Sequence, residues 1–303
     1  MSGRSGEPRE LVILNRRVQW TDDGLRMAPD DRHLKDLIDE LGLGGASHVD
    51  TPMPVTQRNM DEEELKTLDA ADSTLYRRLA AKLNYLSMDR PDVRHAASVI
   101  CSTAASPRVG DMVRLKRVVR FMKGRPVMWT YFRWGLVWKE IKAFTDSDWA
   151  LSREDRRSMS GGMLVHNGSL LRFWSRKQKA ISLSSWESEL YAGVTAVVEA
   201  MGLQSGLADL GCQRSVVLLS DNQGVVDHTA RQGLGLAKHV HIRNLWLQAA
   251  RDEGQLDVRK VHTSQNPADV LTKALPFARV RALCRLVGAI YDGNELDSAE
   301  GAC

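Results

Sequence analysis

The sequence predicts an α/β domain that follows a smaller, mainly helical region. Two patterns lead to this prediction. Before residue 125, apolar residues recur at the three-to-four spacing of helices, and after residue 127 short strand-like runs joined by tight turns take over. Three hairpin-linked strands would extend one side of a mixed sheet, and helical crossovers would place the later strands parallel on the other side.

The first part of the chain begins with a strand-like run at residues 11–20, which enters a turn. Residues 44–60 have the composition of a linker, because Gly and Pro interrupt the apolar pattern. The residues between and after these segments are predicted to form helices over 29–41, 61–68 (acidic and solvated), 73–88, 91–105 and 109–123.

The second part is predicted to contain strands at 134–144, 162–166, 170–174, 215–219 and 256–261. Helices are predicted over 184–207, 223–231, 239–253 and 279–290, and another begins at residue 267. The run at 215–219 is short and continuously apolar, which is typical of a strand buried on both faces.

Composition sets limits on the kind of protein. The 303 residues are 43% hydrophobic with a net charge of +4, so a globular chain of two domains is expected. The four cysteines stand far apart and indicate reduced thiols. Neither a signal-peptide core nor a run of about 18 apolar residues is present, so we expect an intracellular protein, cytoplasmic or nuclear, without a membrane segment.

Carboxylates occur at four places where a fold could turn them inward. Asp146 and Asp148 lie two apart in a strand and share one face. Glu189 lies in the first turns of a helix, Asp221 ends the apolar strand, and Asp269 opens the helix after Pro267. Like charges only a few Å apart need a cation, and oxygen ligands without clustered His or Cys favour Mg²⁺, with Mn²⁺ as a substitute. Two ions about 3.5–4 Å apart could clamp a phosphodiester.

Each carboxylate also has an ordinary interpretation. Asp146 could face solvent at a sheet edge, and Asp221 could cap a helix. Asp269 could be a first-turn acid stabilised by the helix dipole. Ser184 and Glu187 fit a capping box, which leaves Glu189 as the better ligand. The order of strand acid, helix acid, strand-end acid and helix-start acid is more specific than any single position.

Basic residues concentrate in one region. Residues 106–140 hold nine Lys or Arg against two Asp or Glu, and residues 291–303 hold four acids and no base. A solvated face is the ordinary interpretation of the basic helix 109–123, and phosphate contact is its rival. In residues 172–179, we expect aromatic side chains to point inward and cations outward. The predicted nucleic-acid contacts are Arg114, Arg117, Arg120, Lys123, Arg172, Arg176, Lys177, Lys179, Asn222 and Gln223.

A run of short motifs extends through most of the chain, in a fixed order. They are LYRRL (75–79), NYL (84–86), RPD (90–92), FMKG (121–124), TDSDWA (145–150), DRRSMSG (155–161), WSRKQ (174–178), LSS (183–185), ESE (187–189), SDNQ (220–223), KH (238–239), IR (242–243) and ADVLTKALP (268–276). With this run, the chain resembles the C-terminal part of a copia-type retrotransposon Pol polyprotein.

The resemblance implies the end of a reverse transcriptase followed by a ribonuclease H-like domain. It implies a palm- or thumb-like segment at 1–50, a helical connection at 51–135, the ribonuclease H-like domain at 136–290 and an acidic tail at 291–303. The family's four acids match Asp146, Glu189, Asp221 and Asp269, so two Mg²⁺ ions and cleavage of the RNA strand of RNA/DNA hybrids are expected. The polymerase's paired aspartates are missing here, so the upstream fingers and palm would be a partner.

One departure from the family pattern and three alternative functions remain open in the sequence. His262 lies seven residues before Asp269, nearer than the mobile His of many ribonucleases H, which leaves its role undecided. A catalytically silent nucleic-acid-binding remnant would keep the fold without turnover. An integrase-like transferase would need its Glu later than Glu189, and a structural domain would scatter its acids over the surface.

Overall fold

The computed structural model describes residues 9–56, 60–135, 139–150, 155–233 and 245–293. It divides the chain into two compact units. The first is formed by residues up to Trp134 together with those from Ala274 onward, and the second by Gly135–Lys273. In the described part of the chain, no helix combines the length and apolar character that crossing a membrane requires.

The first unit contains a five-stranded antiparallel sheet in the order β1-β2-β3-β4-β10. The predicted strand at 11–20 is two strands, because Leu14 and Asn15 adopt positive φ angles of 49° and 64° and turn the chain back on itself. The strands are β1 (Glu10–Ile13), β2 (Arg16–Trp20), β3 (Gly24–Ala28), β4 (Met128–Arg133) and β10 (Ala289–Tyr291).

The helices of the first unit bury one apolar cluster, in which Leu37, Leu79, Leu83 and Val118 are fully buried. Residues 61–68, predicted as a helix, form turns instead, and Thr67 makes an isolated bridge to Arg108. The helices are α1 (Arg32–Glu40), α2 (Ala70–Leu86), α3 (Pro91–Ser102), α4 (Val109–Gly124) and α8 (Phe277–Arg285).

The second unit contains a five-stranded mixed sheet in the order β7-β6-β5-β8-β9. Strands β5, β6 and β7 pair antiparallel, and β8 and β9 continue parallel to β5. This confirms the predicted ribonuclease H-like fold. Its strands are β5 (Glu140–Asp148), β6 (Met159–His166), β7 (Ser169–Lys177), β8 (Ser215–Ser220) and β9 (Leu256–Lys260).

Helical segments lie on both faces of this sheet. Helices α5 (Ser185–Asp209), α6 (Gln223–Ala230) and α7 (Trp246–Asp252) share one apolar cluster with Trp174 and the inward residues of β5 and β8. A Cβ on Gly162 would meet Trp174 on that face, whereas a Cβ on Gly161 would meet Leu271. Because neighbouring strand residues point to opposite faces, the 3₁₀ helix Pro267–Leu271 covers the other face.

The end of the predicted ribonuclease H-like domain differs from the observed division. Helix α8 and strand β10 lie in the first unit, where β10 pairs with β4 and Phe277 packs near Phe121. Residues 279–290, predicted as one helix, therefore contain a helix end and a strand. The predicted helix over 239–253 is described only from residue 245 onward. The motifs at 238–243 and most of the acidic tail lie outside the described residues.

Candidate metal centre

Asp146 occupies the central strand β5 and is 1% exposed. The hydroxyl of Thr272 donates to its Oδ2, and the ammonium of Lys273 donates to its Oδ1 at 3.0 Å. Burial raises the pKa of Asp146 to about 6, although Lys273 and Thr272 act against that shift. Lys273 and Thr272 therefore offset only part of the effect that burial has on this carboxylate.

Glu189 approaches from the second turn of α5 and is 5% exposed. The backbone N–H of Ser147 donates to its Oε1 at 3.2 Å, which ties the helix acid to the strand that carries Asp146. Its Oε2 is buried and has no hydrogen-bond partner among the described residues. Burial, followed by the charges of Asp146 and Asp221, raises the pKa of Glu189 to about 8.

Asp221 follows β8 directly and is half-buried. In the parallel pairing of β5 with β8, Thr145 lies opposite Ser220. Asp146 and Asp221 follow these two residues, so the pairing brings the two acids to the same end of neighbouring strands. One carboxylate oxygen each from Asp146, Glu189 and Asp221 lies within 4.8 Å of the others. Acids scattered over a surface would not give this arrangement.

This group of acids fits a divalent metal ion. Its oxygen atoms converge, one of them is buried without a partner among the described residues, and burial raises the pKa values of Asp146 and Glu189. Carboxylate oxygens are the ligands that hard divalent ions prefer. Asp146, Glu189 and Asp221 are therefore able to hold a divalent metal ion.

The fourth predicted acid, Asp269, is connected to the group through a lysine. It lies in the 3₁₀ helix Pro267–Leu271 and is 4% exposed. The ammonium of Lys273 donates to Asp269 Oδ1 at 2.8 Å and also contacts Asp146. The structure thus brings three of the four predicted acids together and holds the fourth beside Asp146 by a shared ion pair.

Two further acids weighed in the sequence lie beside this group. Asp148 is half-buried on β5, and burial raises its pKa while Lys273 lowers it. Glu187 acts at the start of α5, as predicted: its N–H donates to Ser184 Oγ at 3.2 Å, and its Oε2 accepts from the N–H of Leu183 at 2.7 Å. Neither belongs to the three-acid group.

The sequence prediction missed the residues that hold the acids in place. Lys273, Thr272 and Ser147 contact Asp146 or Glu189 directly. For Lys273 a signal was available, because it follows Asp269 at the i,i+4 spacing at which opposite charges meet on a helical surface. His262 is exposed, and its Nδ1 accepts the N–H of Ser264 at 3.2 Å, so in this structure it caps the short 3₁₀ helix Thr263–Gln265.

The basic residues of α4 that the sequence predicted to contact nucleic acid form hydrogen bonds with other residues of this chain. Lys123 donates to the carbonyls of Leu43 and Ala46, each at 2.9 Å, and also to Gly44. The other three predicted residues have partners as well: Arg120 contacts the backbone and hydroxyl of Ser47, Arg117 the hydroxyl of Thr51, and Arg114 the carboxylate of Asp111. The contacts of Lys123, Arg120 and Arg117 hold the segment after α1 against the helix, whereas the partner of Arg114 lies within α4 itself.

The basic residues of β7 are more accessible. Arg172 and Arg176 are exposed and share Glu199 of α5, at 2.8 and 2.9 Å, while Lys177 pairs with Asp155 at 2.9 Å. Trp174 is buried, whereas Arg172 and Arg176, two residues before and after it on the strand, are exposed, which agrees with the expectation that aromatic side chains point inward and cations outward. The other predicted contacts differ in exposure: Lys179 and Gln223 are exposed, and Asn222 is half-buried.

Comparisons with known proteins identify relatives over most of the chain. The chain is 25% identical over 264 residues to the retrovirus-related Pol polyprotein from transposon TNT 1-94 of Nicotiana tabacum, covering 85% of this chain and 20% of that one. It is 28% identical over 262 residues to that from transposon RE2 of Arabidopsis thaliana, covering 86% and 18%. The chain therefore spans about a fifth of the length of these polyproteins.

No protein-family model matches the chain. Among solved structures, the N-terminal RNase H domain of rv2228c from Mycobacterium tuberculosis, solved as a maltose-binding-protein fusion, has a TM-score of 0.32 and 15% identity, over 45% of this chain and 91% of that one. The fold assignment rests on the strand order and pairing described above. Over most of its length, the homologues of the chain are retrovirus-related Pol polyproteins from copia-type transposons.

Proposed function

We propose that the second unit is a metal-dependent ribonuclease H, which hydrolyses the RNA strand of RNA/DNA hybrids as part of a retrotransposon reverse transcriptase. The observation that carries this proposal is the group of Asp146, Glu189 and Asp221, with one buried Glu189 oxygen left unpartnered. Kinship to Pol polyproteins supports it, because reverse transcription leaves an RNA strand to be removed.

In this proposal, Mg²⁺ is the ion, and Mn²⁺ can replace it. Asp146, Glu189 and Asp221 would hold it, with Asp269 beside them. When bound, such an ion polarises a phosphodiester and lowers the pKa of a water molecule. The protein's own contribution is to fix the ligands: Ser147 N–H orients Glu189, and Thr272 and Lys273 orient Asp146.

The substrate would be recognised by its backbone. Hybrid duplexes present 2′-hydroxyl groups in a wide, shallow minor groove, and these distinguish the RNA strand. Arg172, Arg176 and Lys179 are exposed cations that could contact phosphates. The upstream polymerase part of the polyprotein would deliver the hybrid, and it is a partner in this proposal.

A cleavage assay on a labelled hybrid, with and without Mg²⁺, tests the proposal. Asp146→Asn is expected to abolish cleavage while the fold, followed by circular dichroism, survives. Asp148→Asn is the matched control, because it removes a neighbouring carboxylate outside the three-acid group and should lower the rate less. Undiminished cleavage by Asp146→Asn would refute the site, and hybrid binding without cleavage by the wild type would favour the silent remnant.

A further inference from the structure

The acidic centre contains two groups of carboxylates that differ in how their charge is balanced. Asp146 and Asp269 share the ammonium of Lys273, at 3.0 and 2.8 Å. In contrast, no ion pair to the carboxylates of Glu189 or Asp221 is formed among the described residues, although the Lys260 ammonium donates to the backbone carbonyl of Asp221. One side of Asp146 therefore faces a cation paired with its carboxylate, and the other side faces carboxylates that are not paired in this way.

Lys273 bridges two buried carboxylates. It is the second residue after the 3₁₀ helix Pro267–Leu271, and the two carboxylates it contacts are both buried. Its ammonium forms ion pairs with Asp146 Oδ1 at 3.0 Å and with Asp269 Oδ1 at 2.8 Å, so one positive charge of the chain lies between these two acids.

A divalent ion coordinated by both Asp146 and Asp269 would have to occupy the place of the Lys273 ammonium. If both bound the same two carboxylates, the ion and the ammonium would lie close together, and their positive charges would repel each other. The three-acid group of Asp146, Glu189 and Asp221 raises no such conflict, since its buried Glu189 oxygen lacks a partner among the described residues.

We propose that Lys273 is a built-in cation for the second side of the centre, so that the protein binds one divalent ion readily and a second only by displacing Lys273. The first ion would be bound by Asp146, Glu189 and Asp221. Lys273 is then a positioning residue that controls how many ions the centre holds. This inference rests on the proposed function, because it concerns the same site.

The test counts Mn²⁺ ions bound to the full chain without nucleic acid, using the electron paramagnetic resonance signal of free Mn²⁺. The wild type is expected to bind one ion, with a second only at much higher concentration. Lys273→Met is expected to tighten the second site by about ten- to hundredfold, the range of one charge-assisted hydrogen bond. Two ions of similar affinity in the wild type would overturn the proposal.

Lys82→Met is the matched control. Lys82 also bridges two carboxylates, of Asp36 at 3.2 Å and Glu40 at 2.6 Å, but it lies in the first unit. Lys82→Met should leave Mn²⁺ binding unchanged. An equal increase in Mn²⁺ affinity in Lys82→Met and Lys273→Met would mean that any pair of acids freed from a lysine attracts the ion.

A double variant tests the position of the second ion. Adding Asp269→Asn to Lys273→Met should abolish binding of the second ion, and continued binding would count against its assigned position.

A second measurement does not depend on how Lys273→Met folds. Acetylation of the Lys273 amine in the wild type, mapped by mass spectrometry, should accelerate as the second Mn²⁺ binds, because the displaced amine turns to solvent. A constant rate through saturation would overturn the proposal. The proposed nuclease site and the role of Lys273 can be refuted separately. A wild type that binds no Mn²⁺ refutes the nuclease site. A wild type that binds two Mn²⁺ ions with equal affinity and cleaves hybrids refutes only the role of Lys273.

Discussion

The side-chain amide of Asn266 donates a 2.9 Å hydrogen bond to the backbone carbonyl of Thr145, which lies 121 residues earlier. Its Oδ1 accepts the N–H of Ala268 at 3.2 Å and so caps the 3₁₀ helix that carries Asp269. Asn266 is fully buried. This one side chain anchors the helix beside Asp146, next to the centre of the sheet.

We therefore expect Asn266→Asp to destabilise the second unit. The aspartate could still cap the helix, but it cannot donate to Thr145, and it would place a charge opposite a carbonyl. Loss of a buried donor costs about 1–3 kcal/mol, more for a charged group. Urea unfolding would measure the change, with Asn222→Asp as the control, since Asn222 makes no side-chain cap bond to α6. Equal changes in both would refute the anchoring role.

The stability of the metal-free protein should fall as pH rises through neutrality. Burial raises the pKa of Glu189 from its ordinary 4.5 to about 8, and that of Asp146 from 3.8 to about 6. Between the unfolded and folded values, the folded state binds more protons than the unfolded state, so its stability is complete at low pH and is lost as pH rises. The loss should extend from about pH 3.8, the unfolded value of Asp146, to about pH 8, the folded value of Glu189, and amount to a few kcal/mol, on the order of magnitude of such shifts.

Thermal unfolding in a chelator, scanned over pH, checks this expectation. Glu189→Gln should flatten the curve above pH 6 and raise the midpoint at pH 8, whereas Glu187→Gln should keep the slope. Excess Mg²⁺ should restore stability at high pH, because the ion binds deprotonated carboxylates. A wild-type midpoint that rises between pH 6 and 8 without metal would contradict the assignment.

Lys123 is expected to act in folding more than in substrate binding. It donates to three backbone carbonyls of the segment after α1, so Lys123→Met should lower the free energy of unfolding by about 1.5–3 kcal/mol. Lys116 is exposed on the same helix, and Lys116→Met should change stability by less than about 0.5 kcal/mol. Denaturant titration of both variants measures the difference, and similar losses would contradict it.

The predicted phosphate contact of Arg117 and Arg120 has its own measurement. If these side chains bind phosphates, neutralising both should weaken hybrid binding and flatten its dependence on salt. An unchanged salt slope together with lowered stability would mean that they serve only the segment that they contact in the structure, at Thr51 and Ser47.

Glu199 holds Arg172 and Arg176 away from other anions, so Glu199→Gln should strengthen hybrid binding at low salt. The variant releases two exposed guanidinium groups, and each added phosphate contact steepens the salt dependence. Fluorescence anisotropy with a labelled hybrid would measure it. Glu253→Gln makes the same change in net charge at the end of α7, far from these arginines in sequence, and equal effects would mean that overall charge alone is responsible.

The local patterns of the sequence were sufficient for most of the elements that carry the site. Alternation and apolar runs predicted β8 and the first half of β5, which continues to Asp148 beyond the predicted end at residue 144, and the Ser184–Glu187 capping box predicted where α5 begins. The order of the four acids along these elements, together with the motifs around them, predicted which carboxylates to consider. Such features depend on residues within a few positions of one another, which a sequence displays directly.

Tertiary structure alone decided the contacts between distant segments. It paired β10 with β4, placed the segment after α1 over the basic side of α4, and joined Asn266 to Thr145. It also placed Lys273 between Asp146 and Asp269, while the carboxylates of Glu189 and Asp221 form no ion pair among the described residues. The physical reason is that charge balance at a buried site depends on which side chains the folded chain brings within a few Å, and separation along the sequence does not determine that distance.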